Sequence, residues 1–293
     1  MKPNRGRLAQ SSDPVEAAVQ KALAALQSGR QDDAYRMALR LTGKYPKHPH
    51  ANQLLGMTLL AKERAAEAVA PLELAARIMP APAVETYLAI ALRKTGRRAQ
   101  AITILRQAIE RPPYISLAFY ELGTLLYEQR DRAEAFATFE RGMTVAPSNE
   151  LSLALGTIFL ERGQLNEATA AFARVLANVP GQPGAVHGLG CVLMARGEYH
   201  RACSKFDEAI ARDASDTRAH LLLASCLFEL DKPDFAMRHL RALLAASPNH
   251  IGSAFKVCVE GARGRLWLRP TAAANAFGLQ GIPSKAESDL LQR

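Results

Sequence analysis

Along this chain, apolar residues return every three or four positions, in stretches interrupted by short charged segments. The stretch FYELGTLLYEQRDRAEAFATFERGMTVAP, Phe119 to Pro147, shows the pattern: two apolar-periodic segments flank a charged middle. That spacing puts the apolar side chains on one stripe of a helix. Each such stretch therefore predicts two amphipathic helices joined by a turn.

The stretch recurs. Pro46, Pro80, Pro113, Pro147, Pro180 and Pro248 are separated by 34, 33, 34, 33 and 68 residues, and Ala214 stands halfway through the last gap. One small-residue series, Ala34, Ala68, Ala101, Ala135, Ala168, Ala202 and Ala236, keeps step with them. A second runs Ala22, Gly56, Ala89, Gly123, Gly156, Gly190 and Ala224. Between the two series come Leu72, Leu105, Phe139, Phe172, Phe206 and Leu240, with Ala38 in the first unit. A fixed period of this length marks a repeat architecture. Small residues let two helix backbones approach closely, and each proline ends the second helix of its unit. Gly29, Gly96, Gly163 and Gly197 occupy the turn inside a unit, where positive φ is cheap, and Glu63, Arg130 and Asp231 stand there in the other three.

These registered positions resemble the tetratricopeptide repeat, whose LG…A…F…P skeleton matches seven units between about Pro14 and His250, roughly four fifths of the chain. The resemblance implies an all-α fold: a right-handed α-solenoid superhelix of antiparallel helix pairs, A and B. One unit cannot bury its own apolar face, whereas a stack of units makes a continuous core. Four segments are expected: a flexible basic N-terminus over 1–13, the repeats over 14–250, a capping helix and Arg/Trp segment over 251–278, and a tail over 279–293. The capping helix is read from IGSAFKVCVE, because Cys258 lies 34 residues after Ala224.

The resemblance also implies that A helices line a concave face. Just after each small A-helix residue and about one turn on stand Leu23 and Leu26, Met57 and Leu60, Ile90 and Arg93, Thr124 and Tyr127. The series continues with Thr157 and Leu160, Cys191 and Met194, Ser225 and Phe228. One turn earlier come Val19, Gln53, Thr86, Tyr120, Leu153, His187 and Leu221. Most are apolar or aromatic, which suits an amphipathic helix or hydrophobic segment of a protein partner. Tyr120, Tyr127, Leu160, Met194 and Phe228 are the expected anchors. A ring of Lys and Asn for gripping a peptide carboxylate is missing, since only Arg93 and Lys94 are cationic there.

Composition sharpens this reading. With 48% hydrophobic and 6% aromatic residues in 293, a large core built from Ala- and Leu-rich helices is expected. The net charge of +9 is uneven: residues 49–115 hold nine Lys and Arg against five Asp and Glu, and residues 116–182 hold five against eight. Lys94, Arg97 and Arg98, with Arg93, form a basic turn able to steer an acidic partner. Arg263, Arg265 and Arg269 surround Trp267 beyond the repeats, too few to favour nucleic acid as a partner. The start lacks the apolar core of a secretory signal, and the longest apolar runs fall short of a membrane span, so a cytoplasmic location is expected.

Candidate chemistry is sparse. No phosphate-binding glycine loop, HExxH or nucleophile elbow occurs, so no catalytic residues, metal or cofactor are expected. His187 and Cys191, four apart, read as lining or core and not as a zinc site. The four cysteines show no CxxC spacing and read as small buried thiols. The sequence thus points to an interaction scaffold or adaptor. Alternatives are a regulatory or substrate-recognition subunit of transferase, secretion or pilus-assembly machinery, or a self-associating structural protein.

Overall fold

The structure, a computed structural model, describes residues 14–260. The helices follow one another as α1 (Pro14–Gln27), α2 (Gln31–Lys44), α3 (Pro49–Ala61), α4 (Ala65–Ile78), α5 (Pro82–Lys94), α6 (Arg98–Ala108), α7 (Ser116–Glu128) and α8 (Arg132–Val145). Then come α9 (Asn149–Glu161), α10 (Leu165–Asn178), α11 (Pro183–Ala195), α12 (Tyr199–Arg212), α13 (Thr217–Glu229) and α14 (Pro233–Ala246). A 3-10 turn, Pro248–His250, leads into α15 (Ile251–Glu260). Odd-numbered helices are the A helices and even-numbered ones the B helices. The fold is an α-solenoid, and no strand occurs among the described residues. No helix among them is long and apolar enough to cross a membrane.

The chain divides into two compact units, the first ending at Leu151 and the second beginning at Ser152. In the first, each A helix packs on its own B helix and on the next A helix, from α1 through α7. In the second, α11 to α14 repeat that arrangement, and α15 occupies the next A-helix place by packing on α13.

All seven A-to-B turns among the described residues pass through positive φ, whether glycine stands there or not. Gly29, Gly96, Gly163 and Gly197 have φ of 77°, 82°, 71° and 75°, and Glu63, Arg130 and Asp231 have 59°, 68° and 58°. The residue after each donates its N–H five residues back, as Asp131 does to Leu126 O at 3.0 Å. The C-terminal carbonyls of helix A are thereby satisfied.

Packing within a repeat follows the two small series. The glycines Gly56, Gly123, Gly156 and Gly190 each lie against the large residue sixteen positions on, Leu72, Phe139, Phe172 and Phe206 respectively. Those four side chains are all buried, each contributing about 1.5–3 kcal/mol of transfer free energy. Gly142 of α8 backs onto Phe119 of its own repeat and Leu151 of the next, and Gly188 of α11 backs onto Phe172 of the preceding repeat. Buried polar residues near the starts of A helices hold the inter-repeat loops. Asn52 Nδ2 donates to Pro46 O at 2.8 Å and His48 O at 3.0 Å, Arg111 pairs with Glu85, and His220 Nε2 meets Ala214 O at 3.1 Å.

Glycine substitutions separate packing from helix propensity. Gly142→Ala would put a methyl 2.6 Å from Phe119 Cβ, an atom no side-chain rotation can move, and should lower unfolding free energy in a urea titration by about 1–3 kcal/mol. Gly43→Ala, in α2 with open space around it, should raise it by about 0.5–1 kcal/mol. Arg130→Gly should also stabilise, by about 0.5–1 kcal/mol in the same measurement, because it removes a left-handed non-glycine residue.

Candidate functional site

The A-helix positions behave differently from those that build the repeat. In the first unit, Met57 and Leu60 on α3, Ile90 on α5, and Tyr120 and Tyr127 on α7 are all half-buried, while Leu72, Leu105 and Phe139 on the B helices are buried. The Tyr120 ring lies 6.4 Å from Phe139, and the Arg132 guanidinium sits 5.3 Å from the Tyr127 ring centroid. Half-buried residues at successive spacings of three and four along one helix, as at Tyr120, Thr124 and Tyr127, share a face.

In the second unit, Leu153 and Leu160 on α9 pack against the core around Phe172, and Met194 and Leu221 pack against the core around Phe206. All four remain half-buried. Four residues expected on this face are buried: Val19 and Thr86 in the first unit, and Phe228 and His187 in the second. Phe228 is only 2% exposed, inside a cluster with Leu240, Ala254 and Cys258, because α15 packs on the helix that carries it. His187 is 7% exposed, with Nε2 2.8 Å from Oδ2 of Asp216. Asp216 also accepts a hydrogen bond from Ala219 N at 2.9 Å, capping α13. His187 therefore ties α11 to the start of the next A helix.

The expected basic turn is largely compensated. Arg93 Nε lies 2.9 Å from Glu121 Oε2 and its Nη1 4.0 Å from Glu128. Arg98 lies 3.6 Å from Glu128, and Arg97 3.7 Å from Glu73. Lys94 is exposed beside them. Burial pushes the Glu121 carboxyl above the usual carboxylate range, and the adjacent Arg93 offsets this only in part. The repeat period does not mark this pairing, since Arg93 stands four residues after Ala89 whereas Glu121 stands two before Gly123; the two meet because α5 and α7 are neighbours.

Arg263, Arg265, Trp267 and Arg269 lie outside the described residues, as do residues 1–13 and the tail. Among the described residues, no group of three or more His, Cys, Asp or Glu is placed to hold a metal ion.

Paired helices closed by left-handed turns, with small residues set against large ones and a half-buried A-helix face, define an α-helical repeat protein. The chain belongs to the tetratricopeptide repeat family, whose model matches residues 19–82, 88–149 and 120–183. A second family model, described as subunit 3 of the anaphase-promoting complex (cyclosome), matches residues 161–243. No curated protein sequence matches the chain. Among solved structures, the anaphase-promoting complex hetero-tetramer Cut9-Hcn1 superposes with a TM-score of 0.72 at 18% identity, over 83% of this chain and 48% of that one. The chain thus spans about half the length of that relative. Pseudomonas aeruginosa PilF matches with a TM-score of 0.62 at 21% identity, over 71% of this chain and 95% of its own. PilW, described as a type IV pilus biogenesis factor, gives 0.62 at 22%, over 71% and 97%. At these identities the likeness is one of fold.

The Arg93–Glu121 pair yields a pH test. Glu121 is 8% exposed at its side chain and Arg93 28%, so Arg93→Met should cost about 2 kcal/mol at neutral pH, less than a fully buried pair because Arg93 is partly solvated. Without its cation, the folded-state pKa of Glu121 rises further above the unfolded value, so the penalty is present at high pH and shrinks as pH falls toward that value. Urea titrations of both proteins at about pH 7.5 and about pH 5 should show the gap narrowing.

Proposed function

We propose that the chain is a non-catalytic interaction scaffold of the cytoplasm, and that its A-helix faces hold an amphipathic or hydrophobic segment of a protein partner. The observation that carries this reading is the partition of apolar side chains. The B-helix residues that build the repeat are buried, while Met57, Leu60, Ile90, Tyr120 and Tyr127 keep solvent-accessible surface on successive A helices of the first unit. Packing alone does not require large apolar residues at half-buried positions. Aromatic and Met side chains there supply contact area to a partner, and Met adapts to its shape. In the second unit, Leu153, Leu160, Met194 and Leu221 offer the same chemistry, whereas Phe228 and His187 support the face from within. Since Arg93, Arg97 and Arg98 are neutralised by carboxylates, the partner is selected by apolar area and not by acidity.

Affinity capture from lysate of the source cells, read by mass spectrometry, tests this with charge placed on the face. Leu60→Glu/Tyr127→Glu in the first unit, or Met194→Glu in the second, should leave the circular dichroism spectrum helical and abolish recovery of the wild-type partner. Arg97→Gln/Arg98→Gln should retain it. Equal recovery by all variants would remove the A-helix face as the docking surface.

A further inference from the structure

The first repeat departs from the other six at two registered positions on α1. Where Lys21 stands, the later repeats have Leu55, Leu88, Leu122, Leu155, Leu189 and Leu223. Where Ala25 stands, they have leucine, or Phe159 in the fifth repeat. At the first position Leu88, Leu122, Leu155 and Leu223 are buried, and Leu55 and Leu189 are half-buried against the core. In the first repeat, a leucine is exchanged for a cation and a second large side chain is cut back to a methyl. Beside these positions an open pocket of about 350 Å³ lies between α1 and α2, lined by Lys21, Ala25, Arg30, Asp33, Arg36, Met37 and Arg40.

Its electrostatics are one-sided. Four cations line it, and Asp33 is the sole carboxylate among the described lining residues, already held by Arg36 at 2.6 Å. Arg30 donates from Nε to Ser28 Oγ at 3.2 Å, and among the described residues its terminal nitrogens meet no carboxylate. Elsewhere in the first unit several exposed arginines meet carboxylates, as Arg106 meets Glu134 and Arg141 meets Glu110. A solvated repeat surface asks for polar groups, yet not for one sign of charge gathered around a pocket. Like charges in one pocket repel each other, and a bound anion relieves that repulsion. Guanidinium forks match the geometry of phosphoryl oxygens, Lys adds a point charge, and Met37 with Ala25 gives an apolar wall. The volume lies in the range of small-ligand pockets, at the lower end.

We propose that this cavity binds a small organic phosphate or diphosphate, its phosphoryl oxygens held by Lys21, Arg30, Arg36 and Arg40 and its organic part against Met37 and Ala25. The site is separate from the A-helix face and stands whether or not that face docks a protein.

Calorimetric titration of the full chain with inorganic pyrophosphate and with phenyl phosphate tests it, at about 50 mM salt where screening is mild. Expected is one pyrophosphate per chain, with phenyl phosphate bound more tightly than inorganic phosphate. Ala25→Leu restores the residue common at this register, keeps every charge and fills the cavity. It should weaken pyrophosphate by at least about tenfold, as should Lys21→Leu, while Arg97→Gln/Arg98→Gln should leave binding unchanged. Circular dichroism and thermal melts confirm that each variant folds. Three results overturn the proposal: no pyrophosphate binding to the wild type, equal loss in the distant Arg97→Gln/Arg98→Gln variant, or retention by Ala25→Leu. An RNA octamer that binds more tightly than pyrophosphate and ignores Ala25→Leu would likewise assign the charge to a nucleic-acid surface and overturn it.

Discussion

The close approach of helix A to helix B, made possible by a residue without a side chain facing one with a ring, is the constraint on which this structure depends. Gly123 against Phe139, Gly156 against Phe172 and Gly190 against Phe206 are the same contact made in successive repeats. The ring fills the space that a Cβ would take, so the two helices meet at a distance set by backbone and aromatic thickness. A methyl at these glycines would overlap the ring, and a smaller residue opposite would leave a void. Because the contact is internal to a repeat, the helix pairs that make it share one shape and offer a similar surface to the next pair.

Everything between the helix pairs serves that geometry. Turns with positive φ reverse the chain in very few residues and satisfy the end of helix A, whether glycine, Glu63, Arg130 or Asp231 stands there. The strain at the three non-glycine turns is tolerated because two packed helices hold each one. Polar side chains at the starts of A helices, Asn52, Glu85 and His220, anchor the inter-repeat segments through atoms that would otherwise be buried unpaired. With these tasks done by turns, loops and the A–B contact, the outer A-helix positions carry no structural duty beyond partial packing. Under the proposed function, large apolar side chains at such positions contact a partner.

Charge is arranged with similar economy, and in two different ways. Arg93, Arg97 and Arg98 have carboxylates within 4.0 Å, so they bind helices to one another and project little field. Lys21, Arg30, Arg36 and Arg40 gather around one acid and a cavity, which concentrates positive potential where side-chain volume has been removed. Net charge along the chain does not distinguish these two situations, although their chemical consequences are opposite.

The period of the chain was enough to establish the helix pairs, the turns and the buried series, because small, large and turn residues recur at fixed offsets and each offset has one physical use. Leu72, Phe139 and Phe206 are buried as that register requires, and Cys258 falls in phase with Ala224 at the core of α15's contact with α13. The sequence also shows Lys21 and Ala25 out of step with six equivalent positions, a departure that takes on meaning only once a cavity is seen beside them. What the tertiary structure alone decided is which lining positions keep their surface and which charges meet. Phe228 and Met194 occupy the same register in adjacent repeats, and each helix has the next A helix packed on it, yet Phe228 is buried in a cluster with Ala254 and Cys258 while Met194 stays half-buried. Arg93 is indistinguishable in sequence from a free cation until α7 brings Glu121 to 2.9 Å. Periodicity reports what every repeat shares, whereas burial and pairing depend on the particular neighbour that each repeat packs against.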